Sequence, residues 1–437
     1  MVTARHAATT LLIEAAERFP DIQPTTAALR DVADSREQQL ATAITRTVMQ
    51  RWITLEYLLD VFLRQPCNKL EPAMRGVLLG GAAQLIFLNR LPSYAVVDET
   101  VNLARKLVRP KAAGLVNAVL RKIAGLVQHE VTGKPWEPSA ERLPTDDGFI
   151  PLSEPLLPEP AKDMAFHLAV ATSQRVEFVR ALHKQFGEED ATAICQYATV
   201  NPPTVVTVED GFEVGEYPCR EHDEPNAVVF DGSYDELRAF LTGHAQRRVQ
   251  DTASTRAAAV TADLKPQMIV DFCAGRGTKS RQLALLHPEA TVMAGDIDEH
   301  RFEDLCEAAK QVANLQAVRP QDIEPGCADL LLLDVPCSNS GVLARRPEAR
   351  YRLTPKSYQQ LQQKQRQIVK DTIALIKPGG HLLYSTCSLT QSENESQVQW
   401  IAKSFDAAIL NQELTLPAGR DTSYHDGAFH ALLKLNQ

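Results

Sequence analysis

The sequence predicts a doubly wound α/β domain with a mostly parallel sheet in its C-terminal part, preceded by an all-helical bundle and a small α+β module. Three observations carry this. After Gln250, short apolar strand-like runs alternate with helical stretches, the signature of a sheet covered on both faces. In the first 130 residues apolar positions recur at helical period with no strand signal between them. A proline-rich stretch separates the two regions. At about 150 residues per domain, 437 residues suffice for several separate cores.

In order along the chain, MVTARHAATTLLIEAAERF reads as an amphipathic helix with acidic residues, which argues against a signal peptide. From Arg36 to about Arg64, Leu40, Ile44, Val48, Trp52, Leu55, Leu59 and Phe62 mark one helix face, because side chains three or four apart share a face. Val97, Val101, Ala104 and Val108 repeat the pattern, and Leu115, Val119, Ile123 and Leu126 continue it after Pro110, giving a bundle over residues 1–130. Residues 131–162 hold seven prolines from Pro135 to Pro160 and read as a semi-rigid linker rather than a packed element. Residues 163–245 begin helical and then show short strand-like runs, TVVTV and AVVF, broken by Gly and Pro, a small α+β module. Over 246–437 the strands are MIVD (268–271), TVMA (291–294), DLLLLD (329–334) and HLLYS (381–385), closing on AFHALLKL (428–435).

Composition narrows the function classes. Hydrophobic residues make up 44% and charged residues 23%, and no run approaches the ~18 consecutive apolar residues of a membrane span. The eight cysteines (67, 195, 219, 273, 306, 327, 337 and 387) form no C-x-x-C pair, so neither a metal site nor a disulfide framework is expected and a reducing cytoplasm fits. The formal net charge of −9 argues against a polyanionic partner until it is divided. Residues 1–142 carry +4, residues 143–245 carry −13, and residues 246–437 are neutral. Within the last part, Arg345, Arg346, Arg350, Arg352, Lys356, Lys364, Arg366 and Lys370 face only Glu348, a local +7 suited to phosphate contact or to a solvated helix face.

Chemistry-bearing residues gather at predicted strand ends, where ligands bind in an open α/β sheet: Asp271, Asp296, Asp334 and Cys387. DFCAGRGTKS (271–280) places Gly275 and Gly277 in the turn after the first strand, and Asp296 follows 19 residues after Gly277, the spacing at which a carboxylate meets a ribose diol. This pattern admits a nucleotide-like ligand or a tight structural turn with an N-capping Asp. A dinucleotide fingerprint is absent, since position 280 is Ser, and there is no P-loop. DVPCSNSG (334–341) then sets an acid and a thiol three residues apart around a proline, and a second thiol, Cys387, closes the neighbouring strand. A buried cysteine is commonly a small hydrophobe, but two at adjacent strand ends in polar turns suggest accessible thiolates. Thiol, acid and nucleoside cofactor on one sheet edge suit methylation of pyrimidine carbon 5, which is too weak a nucleophile until a thiolate adds at carbon 6.

On these motifs the chain resembles the NOL1/NOP2/Sun family of RNA 5-methylcytosine methyltransferases. DFCAGRGTKS is similar to the family's D-x-C-A-A-P-G-G-K-T, DIDEHR (296–301) to its D-x-D/E-x-x-R, and DVPCSNSG with ARRPE to its D-A-P-C-S-x-x-G and following stretch. YSTCS with Glu393, Asn394 and Glu395 resembles the T-C-S motif, VQDTAST (249–255) the V-Q-D-x-x-S segment, and DGAFHALLKL the terminal strand. LPSYAVVDETVNLARK and GLVNAVLRKI are similar to a NusB-type RNA-binding domain, a fusion that favours ribosomal over transfer RNA.

The resemblance implies a Rossmann-like class I methyltransferase domain behind a NusB-like bundle and a small RNA-binding module. It implies S-adenosyl-L-methionine held by Cys273, Ala274, Gly275, Arg276, Gly277, Thr278 and Lys279, with its ribose on Asp296, its adenine near Asp322 and Asp334 by the methionine end. It assigns Cys387 as the nucleophile at carbon 6, Cys337 as the helper in product release, Asp334 to cytosine nitrogen 3 and Lys279 to Asp334 or the substrate. Arg301, Arg345, Arg346 and Arg350 are expected on the RNA, with small-subunit ribosomal RNA as partner, no metal, no membrane, a cytoplasmic location and a monomeric state. The flipped base would enter the pocket from its stack. Gly275, Arg276 and Thr278 depart from the family's Ala, Pro and Gly, and Thr278 would cost of order 1 kcal/mol if its φ were positive. The L-R-V-N segment upstream reads VVTV, which removes part of an expected RNA contact. The same chemistry on a transfer RNA or another ribosomal cytosine, and a non-catalytic assembly factor on the same fold, remain alternatives.

Overall fold

The computed structural model describes residues 3–23, 29, 32, 34–88, 91–127, 131–215 and 217–436. The expected end of the bundle, residues 128–130, lies outside them. The chain forms two compact units: residues 1–201 with 343–354, and residues 202–342 with 355–437.

In the first unit, helices α1 (Ala4–Arg18), α2 (Ser35–Asp60), α3 (Pro72–Phe87), α4 (Ser93–Leu107) and α5 (Ala112–Leu126) follow the sequence periodicity. Thr3 caps α1 and Asp34 caps α2, each side chain accepting from a first-turn N–H that the helix leaves unpaired. Leu12, Ile44, Val48, Leu55, Leu59, Val77, Leu78, Val116 and Ile123 expose at most 1% of their surface to solvent and form the bundle's core. Helix α2 breaks at Arg51 (φ −124°, ψ 16°) although no Pro or Gly stands there. The freed amides are taken up within the unit: Trp52 N–H donates to the Tyr351 hydroxyl (3.1 Å) and Ile53 N–H to Ser173 Oγ (2.8 Å).

The region expected to be a linker is packed. Strands β1 (Arg142–Thr145) and β2 (Gly148–Pro151) pair antiparallel, and Trp136, Leu143, Phe149, Ile150, Leu152 and Leu157 are all buried. Trp136 Nε1 donates to the Arg142 carbonyl, and its ring stacks on His167. Apolar residues interleaved with the prolines supply enough burial to override the tether reading. The expected module at 163–245 is also divided. Helices α6 (Met164–Ala171) and α7 (Val176–Tyr197) belong to the first unit, where the Val170 and Val200 carbonyls accept from Thr54 and Gln50 of α2.

In the second unit, β3 (Thr204–Thr207), β4 (Cys219–Glu221), β5 (Ala227–Phe230), the capping-box helix α8 (Tyr234–Leu241) and β6 (Arg248–Val249) build a four-stranded antiparallel sheet in the order β4-β5-β3-β6. Helix α9 (Thr252–Ala259) leads into the alternating part: β7 (Met268–Asp271), α10 (Thr278–Leu286), β8 (Thr291–Ala294), α11 (Glu299–Ala309), β9 (Leu315–Ala317), β10 (Ala328–Asp334), α12 (Pro355–Thr372), β11 (Ile376–Thr386), α13 (Glu395–Ser404), β12 (Ala407–Thr415) and β13 (Ala428–Leu435). These strands form one sheet in the order β12-β13-β11-β10-β7-β8-β9, parallel from β11 to β9 and antiparallel at β13 and β12. Buried on both faces, its central strands read as continuous apolar runs; Leu330 to Leu333 of β10 are all 0% exposed. Strand order reverses between β7 and β10, so the crevice beyond their carboxyl ends is where a ligand fits.

Candidate active site

Every catalytic residue expected from the sequence lies in the second unit: Lys279 in the first turn of α10, Asp334 at the end of β10, and Cys337 and Cys387 on the turns that follow β10 and β11. The turn after β7 reverses through Gly275 (φ 57°) and Gly277 (φ 81°), and α10 starts directly after, so residues with side chains are spared the left-handed region there. Thr278 is the first helical residue and has no positive φ; the strain expected of a Thr replacing Gly does not arise. Gly275 N–H donates to Asp296 Oδ2 (2.9 Å), and Asp298 N–H donates to Oδ1 (2.8 Å), which fixes the carboxylate after β8 beside the loop. Arg276 is exposed and paired with Asp304 of α11. Cys273 is inert in character: burial first, then Asp271, Asp334 and Asp296, push its thiol up.

Lys279 Nζ donates to Asp334 Oδ2 at 2.8 Å. Burial alone would favour a neutral amine, but Asp334, by charge and hydrogen bond, together with Cys387 and Asp271, raises Lys279 above its ordinary value and keeps it an ammonium. Beneath this pair Asp271 is 0% exposed and accepts from Ser280 Oγ (2.6 Å) through Oδ2, while Oδ1 has no partner. Burial, with Asp334 adding, pushes its carboxyl up to about 7 against the Ser280 hydrogen bond.

The two thiols meet. Parallel pairing sets Asp334 opposite Ser385, so the turns after β10 and β11 run side by side, and Cys337 Sγ lies 3.1 Å from Cys387 Sγ. Contact with Cys387, then burial and the charges of Cys387 and Glu393, push the Cys337 thiol well up, opposed by a hydrogen bond from the Asn339 backbone. Gly341 N–H donates to the Cys387 carbonyl (2.9 Å), tying the turns together. Under them Glu393, 0% exposed, accepts from Ser338 N–H (2.9 Å), Gln365 Nε2 (3.1 Å), Ser388 Oγ (2.6 Å) and Thr390 Oγ1 (2.9 Å). Asn394, also 0% exposed, accepts from Thr386 Oγ1 and donates to the Ser388 carbonyl. The polar residues around both cysteines in DVPCSNSG and YSTCS are the sequence signal for this scaffold; Asn339, Glu393 and Asn394 are the members the motif reading leaves without a role.

The chain fits S-adenosylmethionine on its own observations. A Cβ at Gly275 would meet nothing within 4 Å, Asp271 Oδ1 is an unpaired buried acceptor, and Ile297, next to Asp296, is a large apolar side chain 81% exposed. An exposed isoleucine beside a fixed carboxylate offers an apolar face for a purine next to an acceptor for ribose hydroxyls. Asp322 is exposed in the short 3-10 turn after β9. Among the described residues no cluster of three or more His, Cys, Asp or Glu could hold a metal ion, and no helix is long and apolar enough to cross a membrane.

The expected RNA residues separate. Arg301 on α11 and Arg346 are exposed, and Arg345 is half-buried. Arg350 is not a surface residue: it is 0% exposed, inside the first unit, where NH1 donates to the carbonyls of Gln50 (2.9 Å) and Thr172 (3.0 Å) and NH2 to those of Ala198 (2.7 Å) and Leu343 (3.1 Å). The +7 run is therefore not all surface charge. Residues 343–354 belong to the helical unit, and Lys356, Lys364 and Lys370 are exposed on α12 of the other.

Residues 259–428 match the family model described as 16S rRNA methyltransferase RsmB/F, and residues 3–125 match the NusB family. Ribosomal RNA small subunit methyltransferase B from Xanthomonas campestris pv. campestris is 28% identical over 93% of this chain and 91% of its own, and that from Vibrio cholerae is 28% identical over 91% and 89%. Among solved structures, that of PH0851 superposes with a TM-score of 0.69 at 20% identity, covering 99% of either chain, which shows a shared fold. A methyltransferase homologue from Pyrococcus horikoshii matches with a TM-score of 0.50 at 20% identity, over 62% of this chain and 99% of its own. With both cysteine turns, the cofactor loop and the N-terminal bundle in place, the chain joins a domain that matches the RsmB/F family of 16S rRNA methyltransferases to an N-terminal domain that matches the NusB family.

Proposed function

We propose that this methyltransferase transfers a methyl group from S-adenosylmethionine to carbon 5 of a cytosine in small-subunit ribosomal RNA, with Cys387 as nucleophile. The observation that carries the residue roles is the meeting of the two thiols 3.1 Å apart beside an acid held by an ammonium. Cys387 gives up its S–H proton to a base and its Sγ bonds to carbon 6 of the flipped base, the carbon 5–carbon 6 π electrons moving to carbon 5 and through the ring to nitrogen 3. Asp334, at the end of β10, engages the nitrogen 3 edge, and the Lys279 ammonium offsets the negative charge that develops there. The 273–279 loop, Asp296, Ile297 and Asp322 hold the cofactor, which supplies an electrophilic methyl on its sulfonium. Once carbon 5 is methylated, its proton leaves to a base and the carbon 6 to Sγ bond breaks, returning the thiolate. Cys337, adjacent to that bond, assists the release. Arg301, Arg345, Arg346 and the α12 lysines receive phosphates.

The two cysteines are separable by experiment. Cys387→Ala gives neither product nor adduct, whereas Cys337→Ala accumulates an RNA–protein adduct that survives denaturing electrophoresis. An adduct with Cys387→Ala, or none with Cys337→Ala, contradicts the assignment.

A further inference from the structure

Asn339 touches both thiols. It sits in the turn after β10 at φ 58°, a left-handed conformation that Asn tolerates better than most residues. Its backbone N–H is directed at Cys337 Sγ, its Nδ2 donates to the Cys337 carbonyl (3.2 Å), and the Cys387 thiol donates to its Oδ1 (3.2 Å). The orientation of the amide is dictated: a carbonyl can only accept, so the Cys337 carbonyl holds the NH2 end and leaves the oxygen facing Cys387. An amide oxygen accepts from S–H and repels a thiolate.

We propose that Asn339 is a positioning residue that holds and aims the Cys387 sulfur by accepting from its S–H until a base occupies the site. The proposal rests on the reading of Cys387 as the nucleophile. The other charged or titratable groups around that sulfur are Cys337 from the β10 turn, Lys279 of α10 with its partner Asp334, and Glu393 beneath Ser388. The ammonium and the Cys337 S–H favour a thiolate and the carboxylates oppose one, while the amide oxygen, in direct contact, is an acceptor that only the thiol form can use. A guarded thiol resists adventitious alkylation and oxidation while the active site is empty.

The test uses the full-length protein without RNA. The rate of iodoacetamide addition to Cys387, resolved from Cys337 by peptide mass spectrometry, is followed from about pH 6 to 9, a range that brackets ordinary thiol titration. Asn339→Gly suits the positive φ and deletes only the amide. It is expected to raise the Cys387 rate at neutral pH about fivefold, the factor of one ordinary hydrogen bond, and to move the half-maximal pH down. Asn339→Asp keeps the shape and adds a charged acceptor, and is expected to fall below wild type. A purely structural asparagine would leave the pH profile unmoved. An unchanged or slower rate in the Gly variant overturns the proposal; should that variant fail to fold, an Asp variant as fast as wild type overturns it. Methyl transfer to cytosine by the wild type, assayed alongside, separates the two ideas. Its absence with the Gly shift present defeats the functional reading alone, and its presence without the shift defeats the role of Asn339 alone.

Discussion

Replacing Arg350 by Met distinguishes a buried structural arginine from an RNA-contacting one. The guanidinium donates to four backbone carbonyls at 2.7–3.1 Å and is 0% exposed. One of them, Gln50 O, stands at the break in α2, where Arg51 departs from helical geometry. Methionine fills much of the volume but donates nothing, leaving four carbonyls that no water reaches. At about 1 kcal/mol net per hydrogen bond the loss is about 4 kcal/mol. Burial lowers the Arg350 pKa, so part of that loss is returned when the buried charge is removed, and the expected cost is about 3 kcal/mol. Urea unfolding followed by tryptophan fluorescence reads it, since Trp52 lies 6.4 Å from Tyr351 in the same core. Arg346→Met, at an exposed position, is the control: stability within about 0.5 kcal/mol of wild type, and a salt dependence of RNA binding shallower by about one counterion. If Arg350→Met unfolds at the wild-type urea concentration and itself flattens the salt dependence, the buried assignment is wrong.

Other expectations follow from the site. Asp271, pushed up to about 7 by burial, has a folded value above its unfolded one near 4. Its contribution to stability is complete in acid and is lost as pH rises through 7, so non-titrating Asp271→Asn gains on wild type between about pH 4 and 7. Melting temperatures across that range check this, and a constant gap contradicts it. Glu393→Gln turns an amide NH2 against the donors Ser338 N–H, Gln365, Ser388 and Thr390, and is expected to cost about 1–3 kcal/mol and slow methyl transfer. Unchanged melting and unchanged kcat would show that the buried carboxylate does not hold the cysteine turns. Ile297→Asp is expected to weaken S-adenosylmethionine binding about tenfold by calorimetry, the scale of one buried aliphatic side chain, and an unaltered Kd would place the adenine elsewhere.

The α/β architecture is legible because strands buried on both faces write themselves as apolar runs, as in DLLLLD, and strand ends are where the polar residues then appear. Asp334 meets Lys279, and Cys337 meets Cys387, because β10 pairs in parallel with β7 on one side and with β11 on the other, which sets the segments after these strands side by side. What the sequence hides is where the chain crosses from one unit to the other. Charge density cannot tell that Arg350 is carried inward while Arg346 stays outside, since that depends on carbonyls freed by a helix break with no Pro or Gly to announce it. The proline-rich stretch misleads for a related reason: its apolar residues obey neither a helical nor a strand period, yet Trp136, Leu143 and Ile150 are buried, the last two paired across a hairpin and the first stacked on His167. Asn339 escapes notice because its importance lies in which end of an amide faces a sulfur, a fact of orientation.

The most direct test of Cys387 chemistry at cytosine is methyl transfer from labelled S-adenosylmethionine to small-subunit ribosomal RNA lacking the modification, followed by nucleoside analysis of the product. Label in 5-methylcytosine, lost in Cys387→Ala, is the predicted result. Label confined to uridine or adenosine, or undiminished label in Cys387→Ala, would contradict it.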